Sequence, residues 1–139
     1  MADEEESAFF RRNPHLTSLY RNRLIAVALC QGAALQYLGV GYGINDFDVH
    51  YFYERNHVHP QLARRPKRTR ATVGSFASVP VDFVRTVVPS CREPLASVVQ
   101  RLRTFLTRRL TANAFHLAQK AVIGLSPRNV YGVVVWPDG

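Results

Sequence analysis

Cysteine is scarce in this sequence, since the 139 residues contain only Cys30 and Cys91. The two are far apart and form no C-x-x-C pair, so neither a disulfide framework nor a zinc knuckle is indicated. Long apolar runs are also missing, because the longest, Leu24 to Cys30, is far shorter than the ~20 residues that span a bilayer. The N-terminus is acidic where a secretory signal is basic. These absences predict a soluble protein of the reducing cytoplasm with no membrane partner.

Acidic residues are few and are concentrated at one end. The chain has 18 Lys and Arg against 10 Asp and Glu, and four of those acids lie within the first six residues. The rest of the chain therefore has 18 basic residues against six acids, a balance of +12. Such a surface attracts polyanions, namely nucleic acid, nucleotides or an acidic protein, although many basic faces are only solvated.

The length and the 47% hydrophobic content fit one domain with its own core. The acidic start has little to bury, and we predict a disordered tail over residues 1–12. Residues 13–139 are then expected to form a single domain.

The pattern along the chain predicts an α/β (α+β) fold. Expected helices are a short one at about His15–Asn22, another that starts at Ala34, and two long ones whose apolar positions recur at helical spacing. Expected strands are continuous or alternating apolar runs, and Pro80 should begin its strand or lie at an edge. The long helices are Leu95–Leu110 and Thr111–Gly124, and the strands are Leu24–Cys30, a strand ending near Tyr53, Val79–Val88 and Asn129–Trp136.

A polar section from Glu54 to Thr72 separates the second strand from the third. Five of its residues between positions 64 and 70 are basic, which predicts an exposed loop or short helix. This segment either binds phosphates or RNA or only keeps the protein soluble. The basic residues are Arg64, Arg65, Lys67, Arg68 and Arg70.

Asp46 and Asp48 lie one residue apart on the second strand. Because side chains alternate across a strand, both should point to one face while Phe47 and Val49 enter the core. Their Cα atoms would be roughly 6.5–7 Å apart, and two carboxylates held this close are easier to explain with a bound cation. Asp82, on the next apolar strand, also needs a cation, a donor or solvent.

These residues together resemble the DNA polymerase β-like nucleotidyltransferase superfamily. In that family an apolar strand ends in Gly-Ser or Gly-Gly, an Asp-hydrophobic-Asp motif follows at a set distance, and a third carboxylate lies on a later strand. Here Gly32-Ala33 is followed by twelve residues and then by Asp46-Phe47-Asp48. The resemblance covers roughly Leu24 to Val88 and implies a small mixed β-sheet flanked by helices.

The resemblance also implies a site. Asp46, Asp48 and Asp82 would be the catalytic and metal-binding residues, holding two magnesium ions that bind a nucleoside triphosphate, with Asp82 also serving the attacking hydroxyl. Gly32 and Ala33 would bind phosphate through backbone N–H groups. Ala33 replaces the usual serine, which removes one hydrogen bond to a phosphate, worth about 0.5–1.5 kcal/mol.

Three other residues are weaker candidates. His50 continues the face of Asp46 and Asp48, so it either lines the same cleft or is only a polar neighbour. Arg85 and Lys120 are candidate contacts to a triphosphate, although an ordinary surface role is the more usual explanation of each alone.

The implied function is a magnesium-dependent nucleotidyltransferase that moves a nucleoside monophosphate from an NTP to a hydroxyl of an unidentified acceptor. Small bacterial members of the superfamily act on antibiotics, proteins or tRNA ends, often within toxin–antitoxin pairs, and the basic surface favours tRNA, another nucleic acid or a protein. The alternative is a catalytically weakened module of the same fold that binds nucleic acid or a partner protein. A third possibility is a subunit whose homo-oligomeric or antitoxin-type partner completes the acceptor pocket.

Overall fold

The computed structural model describes residues 2–39, 47–56, 67–73, 76–89, 97–109 and 111–137. These residues form an α+β fold in which helices flank one mixed β-sheet. The helices are α1 (Ala2–Arg12), α2 (Pro14–Tyr20), α3 (Gln31–Tyr37), α4 (Val98–Arg108) and α5 (Ala112–Leu117), with a 3-10 turn at Arg128–Val130. The strands are β1 (Leu24–Cys30), β2 (Phe47–Glu54), β3 (Lys67–Val73), β4 (Phe76–Val88), β5 (Val122–Ser126) and β6 (Val134–Trp136).

The sheet has the strand order β3-β4-β2-β1-β5-β6. The pair β2 and β4 is parallel, and the other neighbouring strands are antiparallel. The central strand β1 is buried over most of its length, which explains why its sequence is a continuous apolar run rather than an alternating one. The prediction of a strand at Leu24–Cys30 is confirmed.

Alternation along the strands divides the sheet into two faces. On the front face, β-strand residues such as Ala28 and Phe52 pack against α4 and α5 in one hydrophobic cluster. On the back face, Tyr51 and Tyr53 pack in a second cluster with side chains of α1 and α2. The predicted inward positions of Phe47 and Val49 are confirmed, since both belong to the back-face cluster.

Residues 1–12, predicted to be a disordered tail, instead form helix α1 from Ala2. The helix is held by two aromatic side chains, Phe9 and Phe10, which are both buried against the back face. The Tyr53 hydroxyl also donates a hydrogen bond of 2.6 Å to Glu6 Oε2. Burial of each ring stabilises the folded state by about 1.5–3 kcal/mol. The prediction of a disordered tail was based on the acidic residues and did not take these two rings into account.

Two further parts of the chain differ from the sequence predictions. The section Glu54–Thr72, predicted as a loop or short helix, overlaps strand β3 (Lys67–Val73), which pairs antiparallel with β4. Pro80 lies within β4 rather than at its start, and the described pairing of β4 with β2 begins one residue later, at Val81. The edge position predicted for Pro80 therefore holds only in the sense that its partner strand is the edge strand β3.

The helix predicted over Thr111–Gly124 is wrong in its second half. Helix α5 ends at Leu117, and Val122 begins strand β5 opposite Cys30 of β1. Short apolar runs fit a buried strand as well as a helix. Gly124 is required in β5, because a Cβ at this position would lie 2.1 Å from the Val130 carbonyl oxygen. None of the described helices is long and apolar enough to cross a membrane.

Candidate active site

Cys30, Asp48 and Asp82 stand side by side on three adjacent strands. In the sheet register Cys30 of β1 lies opposite Asp48 of β2, and Asp48 lies opposite Asp82 of β4. Residues in register on neighbouring strands have Cα atoms about 4.8 Å apart and side chains on the same face. That face is the front one, because Asp48 and Asp82 are each an even number of residues from Phe52 and Val88, which pack there. The structure therefore brings two of the predicted carboxylates together.

The two carboxylates differ in exposure. Asp82 is 8% exposed, whereas Asp48 is half-buried at the start of its strand. The third predicted carboxylate, Asp46, lies outside the described residues. Within the part of the chain that the structure describes, no group of three or more His, Cys, Asp or Glu side chains is placed to hold a metal ion. The described part of the predicted site thus consists of two carboxylates, Asp48 and Asp82, which we call the acidic pair.

The negative charge of Asp48 acts on Cys30, its register partner on the neighbouring strand. The Cys30 thiol is fully buried, and burial raises its pKa well above the ordinary value, with the negative charge of Asp48 adding to the effect. The thiol is therefore neutral at physiological pH, since a thiolate there would be both desolvated and beside a carboxylate. Cys30 contributes a small apolar wall to the site rather than a nucleophile.

A polar chain continues the front face away from the carboxylates. His50 Nδ1 lies 3.3 Å from Thr86 Oγ1 in a hydrogen bond, and Asn113 at the start of α5 donates to the same oxygen at 3.5 Å. The His50 ring also stacks on Phe52, with centroids 6.1 Å apart. Burial lowers the pKa of His50 to about 4, so the imidazole is neutral near pH 7.

The sequence predicted that His50 continues the face of Asp48, and the structure places it there. Thr86 and Asn113 were missed. A signal for Thr86 was present, because it follows Asp82 by four residues in an apolar strand and must share its face. Nothing in the sequence indicates that Asn113 would reach it, since that contact depends on how α5 packs over the sheet.

Gly32 and Ala33 lie in the first turn of α3, directly after β1. A Cβ built on Gly32 meets no described atom within 4 Å, so the backbone is open at this residue. The Ala33 side chain is 2% exposed, which means that only its backbone can face a ligand. The turn into the helix is made by Gln31, which has a left-handed φ of 63° and donates its N–H to the Ala121 carbonyl at 3.0 Å.

Arg85 was a candidate triphosphate contact, but it lies on the back of the sheet. It follows Asp82 by three residues, so alternation places it on the opposite face. Its guanidinium carbon lies 3.6 Å from the centroid of the Phe9 ring and 4.9 Å from that of Tyr51. This buried cation–π contact holds α1 to the sheet. Lys120, the other candidate, is exposed in the turn after α5.

The basic segment lies next to the acidic pair through the pairing of β3 with β4. Arg68 of β3 is the register partner of Asp82, so the row of Cys30, Asp48 and Asp82 continues onto the basic edge strand. Lys67 and Arg70 belong to the same strand, whereas Arg64 and Arg65 lie outside the described residues. A segment predicted as a loop is thereby placed beside the carboxylates by the sheet.

Two carboxylates on one face of adjacent strands supply the oxygen ligands that hard divalent cations prefer. Comparison with known proteins adds no relative, since no family model, no curated protein and no solved structure matches this chain. The chemistry must therefore be inferred from the residues of the site.

Proposed function

We propose that this chain is a magnesium-dependent nucleotidyltransferase of the polymerase β-like fold, which transfers a nucleoside monophosphate from an NTP to a hydroxyl of an acceptor. One observation carries the proposal: Asp48 and Asp82 are register partners on parallel strands, and Asp82 is 8% exposed. A divalent cation bound between two carboxylates on one face of adjacent strands takes oxygen ligands from both and offsets the repulsion between their charges.

The order of the elements supports the same proposal. Strand β1 leads into α3 with Gly32 in its first turn, then β2 carries Asp48, and β4 carries Asp82 on the adjacent strand. The glycine, the carboxylate pair and the third carboxylate follow one another in the same order in the polymerase β-like superfamily that the sequence resembles. The mixed sheet with flanking helices is the architecture that the proposed fold requires.

The residues present fit magnesium. Asp48 and Asp82, together with Asp46 beyond the described residues, would hold the ions through carboxylate oxygens. When bound, magnesium supplies charge neutralisation to a triphosphate and makes a bound hydroxyl more acidic. The neighbouring Cys30 and His50 add no charge to the magnesium site. Burial keeps Cys30 as a thiol and His50 as a neutral imidazole.

The protein itself contributes rigid placement. The pairing of β2 with β4 runs in unbroken register from Phe47 opposite Val81 to Glu54 opposite Val88, so the backbone ladder fixes the Cα positions of the two aspartates relative to each other. Fixed placement of this kind is the main protein contribution to phosphoryl-type transfer. The open backbone at Gly32 lets a phosphate approach the chain closely, and Asp82 is positioned to receive the proton of an acceptor hydroxyl.

The proposal is tested by label transfer. Radiolabelled NTPs are incubated with the protein and Mg²⁺, alone and with tRNA or lysate proteins, and we expect labelled acceptor that disappears with EDTA. Asp48→Asn and Asp82→Asn should each lower the rate by more than the roughly 10–100-fold lost when only a group supporting a metal ligand is changed.

The matched control is Glu4→Gln, which removes one carboxylate charge from an exposed position on α1 and should leave the transfer rate unchanged. Full transfer by Asp48→Asn, or no transfer from any NTP to any acceptor fraction, would contradict the proposal.

A further inference from the structure

A groove of about 480 Å³ lies along α4 and its N-cap residue. Its described lining is polar apart from Val99, and it includes neither Asp48 nor Asp82. The residues that matter for the argument are Ser97, Gln100, Arg103, Thr104, Thr107 and Arg108. Helix α4 is about 16 Å long, so a strand that lies along it presents more than one phosphate to the groove.

The two helices that cover the front face, α4 and α5, carry basic residues and no acid. From Ser97 to Pro137 the sequence contains six basic residues and no acid. Residues 2–20, which supply the helices of the back face, contain four acids and two arginines. A polyanion that approaches the protein is therefore attracted to the side that carries α4.

The arginines of α4 are not equivalent. Arg101 points to strand β2, where it forms a 3.3 Å ion pair with Glu54. Arg103 is held in place by donating to the carbonyl oxygens of Val134 and Val135 at 3.0 and 3.1 Å, and Arg108 is exposed in the last turn. The groove thus contains one guanidinium that is already immobilised, which lowers the ordering cost of binding an anion, and one that is accessible.

We propose that this groove binds the sugar–phosphate backbone of an RNA strand. Two guanidiniums suit phosphates, and the four neutral hydroxyl and amide side chains of the lining suit 2′-hydroxyls, which both donate and accept hydrogen bonds. RNA alternates one such hydroxyl with each phosphate, whereas DNA lacks the hydroxyl and an acidic peptide offers mainly carboxylates. The assignment of RNA as the acceptor of the transferred nucleotide rests on the proposed function, but RNA binding itself does not.

The test measures binding without catalysis. Fluorescence anisotropy of a labelled RNA of about 20 nucleotides is recorded in EDTA between about 50 and 200 mM salt, beside DNA of the same sequence and a polyglutamate peptide. We expect RNA to bind more tightly than both. The logarithm of the association constant falls linearly with the logarithm of the salt concentration. Arg108→Gln should make this slope shallower by about 0.7, and the double change Arg103→Gln with Arg108→Gln should make it shallower by about 1.4.

The neutral side chains give a second readout. Thr104→Ala with Thr107→Ala, both exposed positions, should lower the preference for RNA over DNA and leave the salt slope unchanged. The matched control is Arg11→Gln, an exposed arginine of α1, which should not alter the slope. If Arg103→Gln fails to fold because two carbonyl contacts are lost, the exposed Arg108→Gln decides alone.

Three results would overturn the inference: an Arg108→Gln slope equal to that of the wild type, an equal loss in Arg11→Gln, or polyglutamate or DNA binding as tight as that of RNA. Its failure is distinguishable from failure of the proposed function. No label transfer combined with a reduced slope in Arg108→Gln would contradict the enzyme and support the groove. Label transfer to RNA that is insensitive to Arg108→Gln would support the enzyme and contradict the groove.

Discussion

The two faces of the sheet are built from the same strands but carry different kinds of residue. Along β2 and β4, the front positions hold Asp48, His50 and Asp82, whereas the back positions hold Tyr51 and Arg85. The front is covered by helices without acids and the back by an acidic helix. The strand period of two lets adjacent residues serve different purposes, and we infer that the back stabilises the fold while the front carries the chemistry.

Burial shows why this division is stable. The polar groups of the front are paired, as in the hydrogen bond from Asn113 to Thr86, and burial keeps the His50 imidazole neutral. The one cation buried on the back face, among the described residues, is Arg85, and it contacts the faces of Phe9 and Tyr51. The aromatic rings stabilise this buried charge, because a guanidinium is attracted to the face of a ring.

The largest predicted effect is a loss of stability when the packing of the back face is disrupted. Phe9→Ala removes a ring that is 6% exposed and contacts the Arg85 guanidinium, so we expect a loss of about 3–5 kcal/mol in the free energy of unfolding. The measurement is urea denaturation followed by circular dichroism. Because α1 covers the back, hydrogen exchange in α1 should rise more than in β1.

The control is Phe115→Ala, where the ring is 48% exposed and the change should be within about 0.5 kcal/mol. Under conditions where Phe9→Ala is still folded, its label transfer should stay within a few-fold of the wild type. A loss of transfer as large as that of Asp48→Asn would contradict the division of labour between the faces.

The sequence predicted the parts of the fold whose signal is local. The run Leu24–Cys30 predicted β1 because a strand buried on both faces needs continuous apolar side chains. Alternation predicted the faces of Phe47, Asp48 and Val49 because the pleat alone decides them. The facing of Asp48 and Asp82 required the parallel register of β2 and β4, which no local pattern specifies.

The errors arose where a distant contact outweighs local composition. Four acids concealed the two aromatic anchors of α1, and the basic residues of β3 looked like a solvated loop because their partner strand is supplied by β4. Val122 fits a helix as well as a strand until it pairs opposite Cys30. In the candidate site, the contact between Asn113 and Thr86 depends on helix packing and has no sequence signal.

The next effect is a pH dependence that arises on the front face. His50 has a pKa of about 4 in the folded protein and an ordinary value of 6.5. As the pH falls below 6.5, the unfolded chain takes up a proton that the folded protein refuses, so stability decreases between these two values and then levels off. By pH 5 the loss is about 2 kcal/mol.

This prediction is checked by urea denaturation at several pH values between about 7 and 4.5. His50→Gln should remove the His50 part of the decrease, leaving a shallower curve than that of the wild type. His116→Gln is the matched control because His116 is exposed, and its curve should follow that of the wild type. Parallel curves for wild type and His50→Gln would contradict the buried, neutral imidazole.

The smallest predicted effect is the response of the folded protein to a divalent cation, which we expect on the front face only. If Asp48 and Asp82 hold magnesium, an ion concentration of about ten times its Kd should stabilise the folded protein by about 1.4 kcal/mol, visible as a rise in Tm. Asp48→Asn should abolish that rise. Phe9→Ala, on the back, should keep the full magnesium response from a lower starting Tm. A response of Asp48→Asn equal to that of the wild type would place the cation elsewhere and would separate the acidic pair from the proposed chemistry.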